Sequence, residues 1–350
     1  PEGAGRDVGS DSLSHEVGRS GVGGRLTVHR HSMGGLGPRS AVGRRRDAGR
    51  CGRGPRQYDA DVRWMVLLLV AVLVGCDESS ATDPPPPEAP ATAATVDLSL
   101  TRDDVDCSVE VVGEEFTTVH VVVDGVLGSP CLGEPDPALL DAWEALALIA
   151  PVSARADLGQ FGGFVGLDDG EEVTLAFVLA IEGGDLFQMA VNLEEFDADP
   201  AESLVTLAHE FSHVLTQLPS QIDRTPEAAE SCDTYDNGEG CFVDDSLMAQ
   251  WIDEFWSDDL LAGIDPTDPT LESGADRCDL NAGFLGPYAA SNPEEDFAET
   301  FGAFVYEVET VRALDDKLAW MADQPGLAEF RARAVAAGLT PIDYEFGDCG

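Results

Sequence analysis

The stretch Leu207-Ala208-His209-Glu210-Phe211-Ser212-His213-Val214-Leu215 decides how the rest of the chain is read. Its apolar positions, with Leu204, recur at helical spacing and would bury one side of a helix from Ala201 to Leu218, with Pro200 and Glu202 suiting the first turn. Residues four apart on a helix share a face, so the imidazoles of His209 and His213 can reach one ion while Glu210 stands beside them. With six His in 350 residues, the pattern arises by chance in on the order of one such chain in a hundred. The spacing suits a hydrolytic zinc site, which needs three protein ligands, a position left for water, and a carboxylate able to take that water's proton.

Two imidazoles require a third ligand. No His follows His213, and His120, within Thr117-Thr118-Val119-His120-Val121, reads as an ordinary strand residue. A carboxylate should therefore complete the set, and the best source is Ser291-Asn292-Pro293-Glu294-Glu295-Asp296-Phe297-Ala298-Glu299-Thr300-Phe301. Asn292 is a good N-cap, Pro293 a good first helical residue, and Glu294 and Glu295 suit the positive end of a helix dipole. Capping leaves Glu299 unexplained, since it lies past the first turn on the face of Glu295. Glu295 is the expected ligand, with Glu294, Asp296 and Glu299 as alternatives.

Taken together, His209-Glu210-Phe211-Ser212-His213, Tyr288 and Glu295-Asp296-Phe297-Ala298-Glu299 resemble the gluzincin metallopeptidases, especially the anthrax-toxin lethal factor type and related bacterial zinc-binding metallopeptidase lipoproteins. The resemblance covers roughly residues 193 to 308. It implies that His209, His213 and Glu295 bind one Zn2+, that Glu299 orients a ligand imidazole, and that Tyr288, seven residues before Glu295, stabilises the oxyanion. Glu210 is the expected general base. About 80 residues separate His213 from Glu295, a longer interval than in the short-linker gluzincins. The expected function is zinc-dependent endopeptidase action on a protein or peptide substrate; the competing class is a metal-binding surface lipoprotein that binds or adheres without catalysis.

Outward from the motif, the chain divides into four stretches. Residues 1 to 61, rich in Gly, Arg and Ser, show no useful periodicity and read as a disordered or mis-assigned upstream extension. Residues 62 to 76 join one positive charge to an apolar run too short to span a bilayer, and end Leu73-Val74-Gly75-Cys76. That ending resembles the bacterial lipobox, which implies lipidation of Cys76 and an exported protein anchored to a membrane or cell surface. Residues 77 to 95, with the run Pro84 to Pro87, read as a semi-extended tether.

The folded domain is expected over 96 to 350. Strand-like runs come first, at Val109 to Val112, Thr117 to Val123, Phe161 to Leu167, Val173 to Ile181 and Leu186 to Leu193, interrupted by a helix from Pro137 to Ile149. Helices dominate after Pro200, at Ala201 to Leu218, Ser246 to Trp256, Pro293 to Val308 and Leu327 to Ala337. This order predicts an α+β, zincin-like fold in which a twisted mixed sheet packs on the active-site helix and a mainly helical part follows. Leu186 to Leu193 is expected at a sheet edge, where extended peptide could add as a strand.

Acidic residues number 66 against 20 basic ones, a formal charge of −46. Twelve of the basic residues precede Cys76, so 8 face 59 acids from Asp77 onward, a formal charge of −51. Such a surface repels phosphate backbones and argues against nucleic-acid partners. Cys51 lies upstream and Cys76 is used for lipidation; six cysteines remain. Proximity and order favour Cys107 with Cys131, Cys232 with Cys241 and Cys278 with Cys349. The Cys232 to Cys241 loop carries Asp233, Asp236, Asn237 and Glu239, oxygen donors of the kind Ca2+ takes, but Tyr235 breaks the EF-hand pattern and an ordinary closed loop is the reading kept. A monomer is expected.

Overall fold

The computed structural model describes residues 26–31, 95–102, 107, 114–166, 172–196, 198–264, 271–347 and 349. All of these described residues belong to one compact unit. The lipobox, the tether up to residue 94 and the strand expected at Val109 to Val112 lie outside the described residues.

Runs of β-branched and aromatic residues form one mixed sheet of β1 (Leu26–His31), β2 (Glu114–Val123), β3 (Val126–Leu132), β4 (Leu158–Gly166), β5 (Glu172–Ile181) and β6 (Leu186–Asn192), in the order β1-β5-β6-β4-β2-β3. Only β4 and β6 run parallel. A two-stranded ribbon joins β7 (Ile222–Asp223) to β8 (Cys241–Phe242). Among the described residues there are ten helices: α1 (Pro137–Ile149), α2 (Val152–Arg155), α3 (Pro200–Thr216), α4 (Pro226–Glu230), α5 (Leu247–Phe255), α6 (Asp258–Leu261), α7 (Leu271–Leu280), α8 (Pro293–Tyr306), α9 (Asp315–Asp323) and α10 (Pro325–Ala337). The chain is thus mixed α/β, and none of its described helices is long and apolar enough to cross a membrane.

Two expectations about strands need correction. β6 is not an edge: it pairs with β5 on one side and β4 on the other, so its backbone groups are taken and cannot receive a peptide. Its near-continuous apolar run is what a strand buried on both faces requires. Upstream, where no strand periodicity was found, Leu26–His31 pairs antiparallel with β5 and occupies that edge of the sheet.

Alternation along the strands sends Ala176 and Val178 of β5, with Phe187, Met189 and Val191 of β6, to the helical side. Phe177 and Ala190 point to the opposite face and meet Phe164. On the helical side, Trp143 stands edge-on to Phe161, and Phe211 of α3 and Phe301 of α8 both pack on Phe330 of α10. Each such buried side chain contributes about 1.5–3 kcal/mol through removal of apolar area from water. The C-terminal carbonyls of α1 receive arginines, Arg155 at Ala150 O (2.5 Å) and Arg333 at Ile149 O (3.1 Å), which ties the first helix to the last. Three disulfides join Cys107 to Cys131, Cys232 to Cys241 and Cys278 to Cys349, the pairing that proximity and order favoured.

Candidate metal centre

Helix α3 starts where its sequence calls for it. Asp199 accepts hydrogen bonds from the N–H groups of Ala201 and Glu202, and Pro200 takes the first helical position. Its apolar side enters the core, and His209 and His213, each 1% exposed, come one turn apart with ring centroids 5.0 Å from each other. Helix α8 is capped in the same manner, with Asn292 Oδ1 accepting from Glu295 N–H at 2.8 Å and Pro293 first in the helix.

The two helices pack directly on each other. Gly302 permits the approach: a Cβ there would stand 3.1 Å from Val205 Cγ1 of α3. Glu295, fully buried, thereby reaches the imidazoles, its Oε2 lying 3.0 Å from His209 Nε2 and 3.8 Å from His213 Nε2, while the two Nε2 atoms are 3.3 Å apart. Donors held about 2.0–2.1 Å from a tetrahedral ion are about 3.3–3.4 Å from one another, so this trio has the spacing and chemistry of a zinc ligand set. Among the described residues no other group of three His, Cys, Asp or Glu donors converges in this way.

Around the trio, each neighbour has a separate contact. Glu299 Oε1 lies 3.2 Å from His209 Nδ1, the ring nitrogen turned away from the trio. Burial opposes a charge on His209, but the hydrogen bonds and charges of Glu295 and Glu299 outweigh it and push the imidazole up to about 10. Burial holds His213 down, to about 4. The Tyr288 ring stacks on His209 at 6.0 Å. Burial, then the charges of Glu295, Glu210 and Glu299, raise its phenol well above the ordinary value, so it keeps a proton to donate. Glu210 is completely buried beside them.

The three consecutive acids of α8 face three ways. Glu295 meets the imidazoles. Asp296 points away, accepting from Trp251 Nε1 (3.1 Å), Trp256 Nε1 (2.9 Å) and Lys317 Nζ (2.6 Å). Glu294 faces Tyr235 and Asn237 of the Cys232 to Cys241 loop, and burial raises its carboxyl to about 8. Glu294 and Asp296 are thus directed away from the trio, and Glu299 meets the far ring nitrogen of His209. Sequence reasoning missed the Asp296 hub, although one signal for it was visible: Lys317 is the only lysine in the chain.

His120 lies inside the sheet, with Nδ1 bonded to Gly128 O at 2.7 Å. In the disulfide loop, Asp236 and Asn237 close their own turn by accepting from Gly238, Glu239 and Gly240 N–H groups, and Glu239 faces Arg224. The Asp236 and Asn237 oxygens are thus engaged within the loop and Glu239 is turned to Arg224 outside it.

No protein-family model and no curated protein sequence matches the chain. One solved structure does, a provisionally named zinc-binding metallo-peptidase from Bacteroides caccae, with 17% identity, a TM-score of 0.25, and 57% of this chain and 64% of that one covered. The match therefore spans just under two thirds of that protein's length.

Proposed function

We propose that the chain is a zinc-dependent endopeptidase with a zincin-like fold, in which His209, His213 and Glu295 hold one Zn2+. The observation that carries this is the trio itself, two imidazole nitrogens and one carboxylate oxygen buried at mutual distances of 3.0, 3.3 and 3.8 Å on two separate helices. The bound ion supplies a Lewis acid that polarises a carbonyl and makes water acidic near neutral pH.

The remaining work falls to the chain. Glu210, next to His209 on the same helix, accepts the proton of the attacking water and passes it to the leaving amine. Tyr288, kept protonated by burial and surrounding carboxylates, donates a hydrogen bond to the oxygen that gains charge. Glu299 holds His209 through Nδ1, so that Nε2 faces the trio. Export as a lipoprotein anchored through Cys76 belongs to the same proposal, supported by the lipobox-like ending and by three disulfides, which persist in oxidising compartments.

The test compares the purified full chain with Glu210→Gln, measuring casein or peptide cleavage and zinc content on both. Zinc retained by both with cleavage lost only in the variant is the expected result. Zinc retained with no cleavage by either would instead favour a metal-binding lipoprotein.

A further inference from the structure

We propose that the substrates of this site are cationic polypeptides, rich in Lys and Arg around the scissile bond; this rests on the peptidase reading above and adds to it the charge of what is cleaved. From Asp77 onward the chain sets 8 basic residues against 59 acidic ones. The structure shows where those few cations go. Arg155, Arg277 and Arg333 bond to backbone carbonyls at helix ends and loops. Arg102, Arg224, Arg331 and Lys317 each face one carboxylate of the protein itself. Seven of the eight are therefore engaged within the fold, which leaves a large excess of negative charge on the chain.

A field of one sign draws in a ligand of the other. Long-range attraction raises encounter rates by about 10- to 1,000-fold at low salt and fades as the screening length falls from about 30 Å at 0.01 M to about 3 Å at 1 M. The centre adds to this locally, because Glu210, Glu295 and Glu299 bring three carboxylates to a place for one divalent ion. An acidic peptide meets repulsion from both the surface and the site. A Lys- or Arg-rich one meets attraction from both, without any dedicated specificity pocket.

The experiment uses the zinc-loaded full chain and three fluorogenic peptides that share one cleavable core, flanked by lysines, by neutral residues or by glutamates. At 0.01 M salt the lysine-flanked peptide is expected to exceed the glutamate-flanked one by about 10-fold or more in kcat/KM, mainly through KM, with the ratio falling to within about 2-fold at 1 M. Equal turnover at low salt, or preference for the acidic peptide, overturns the proposal while leaving the peptidase reading intact. If no peptide is cleaved, that reading fails, and anisotropy titration of the same peptides against zinc-loaded Glu210→Gln decides the charge question. Tighter, salt-sensitive binding of the lysine-flanked peptide upholds the cationic class, and equal binding overturns it.

Discussion

At the scale of single residues, Tyr288 and Glu299 act on different quantities. Tyr288→Phe removes a donor aimed at developing charge but leaves the zinc ligands whole, so kcat should fall by about 100- to 1,000-fold with zinc affinity little changed. Glu299→Gln keeps the shape but weakens the contact to His209 Nδ1, and zinc affinity should drop by about 10- to 100-fold. Steady-state kinetics at saturating zinc, set beside a competitive zinc titration, separates the two effects. His209, Glu210 and His213 were legible because one helical turn fixes their relation. Glu295 was legible only as one of several acids, since a capping role explains Glu294 and Glu295 equally well until the partner of each side chain is known. The orientation of Asp296 depends on Trp251, Trp256 and Lys317, which approach it from 21 to 45 positions away in sequence.

Among the elements, α8 matters most, because it carries Glu295 and Glu299 and is locked by Asp296. Burial pushes the Asp296 carboxyl up against the pull of Lys317 and the two indoles, so the charges depend on each other. Asp296→Ala would leave Lys317, 6% exposed, as a buried cation without its partner, at a cost of about 3–5 kcal/mol. Lys317→Met in the same chain should recover most of that loss, which chemical denaturation of the single and double variants would measure.

Helix α1 was readable from end to end, since Asp136 and Pro137 mark its start and its apolar period is strong. Strand β3 was missed because Val126–Leu132 contains Gly128 and Pro130, which interrupt alternation and suit only an outer strand, the place it takes. Helix α9 was missed because its apolar residues face the core between many charges. The interior place of β6 follows from pairing between distant strands, which no local pattern specifies.

For the whole molecule, zinc bound to the folded chain alone adds stability by mass action, about 2.7 kcal/mol when free zinc is 100 times its dissociation constant. A chelator should therefore lower Tm, zinc should restore it, and His209→Ala should abolish the difference. The ion must displace the proton that His209, pushed up to about 10, keeps in the metal-free protein, so this increment should grow as the pH rises through neutrality and vanish as the pH falls and zinc is released. The six domain cysteines could be paired from sequence because the loops they close follow one another along the chain without overlap, whereas the convergence of α3 and α8 across about 80 residues could not be measured without coordinates. Diffraction from zinc-soaked crystals of the full chain, recorded at the zinc absorption edge, tests that convergence most directly. One anomalous peak about 2.0–2.2 Å from His209 Nε2, His213 Nε2 and a Glu295 oxygen is expected; no peak there, or a Glu295 side chain turned away from both rings, would contradict it.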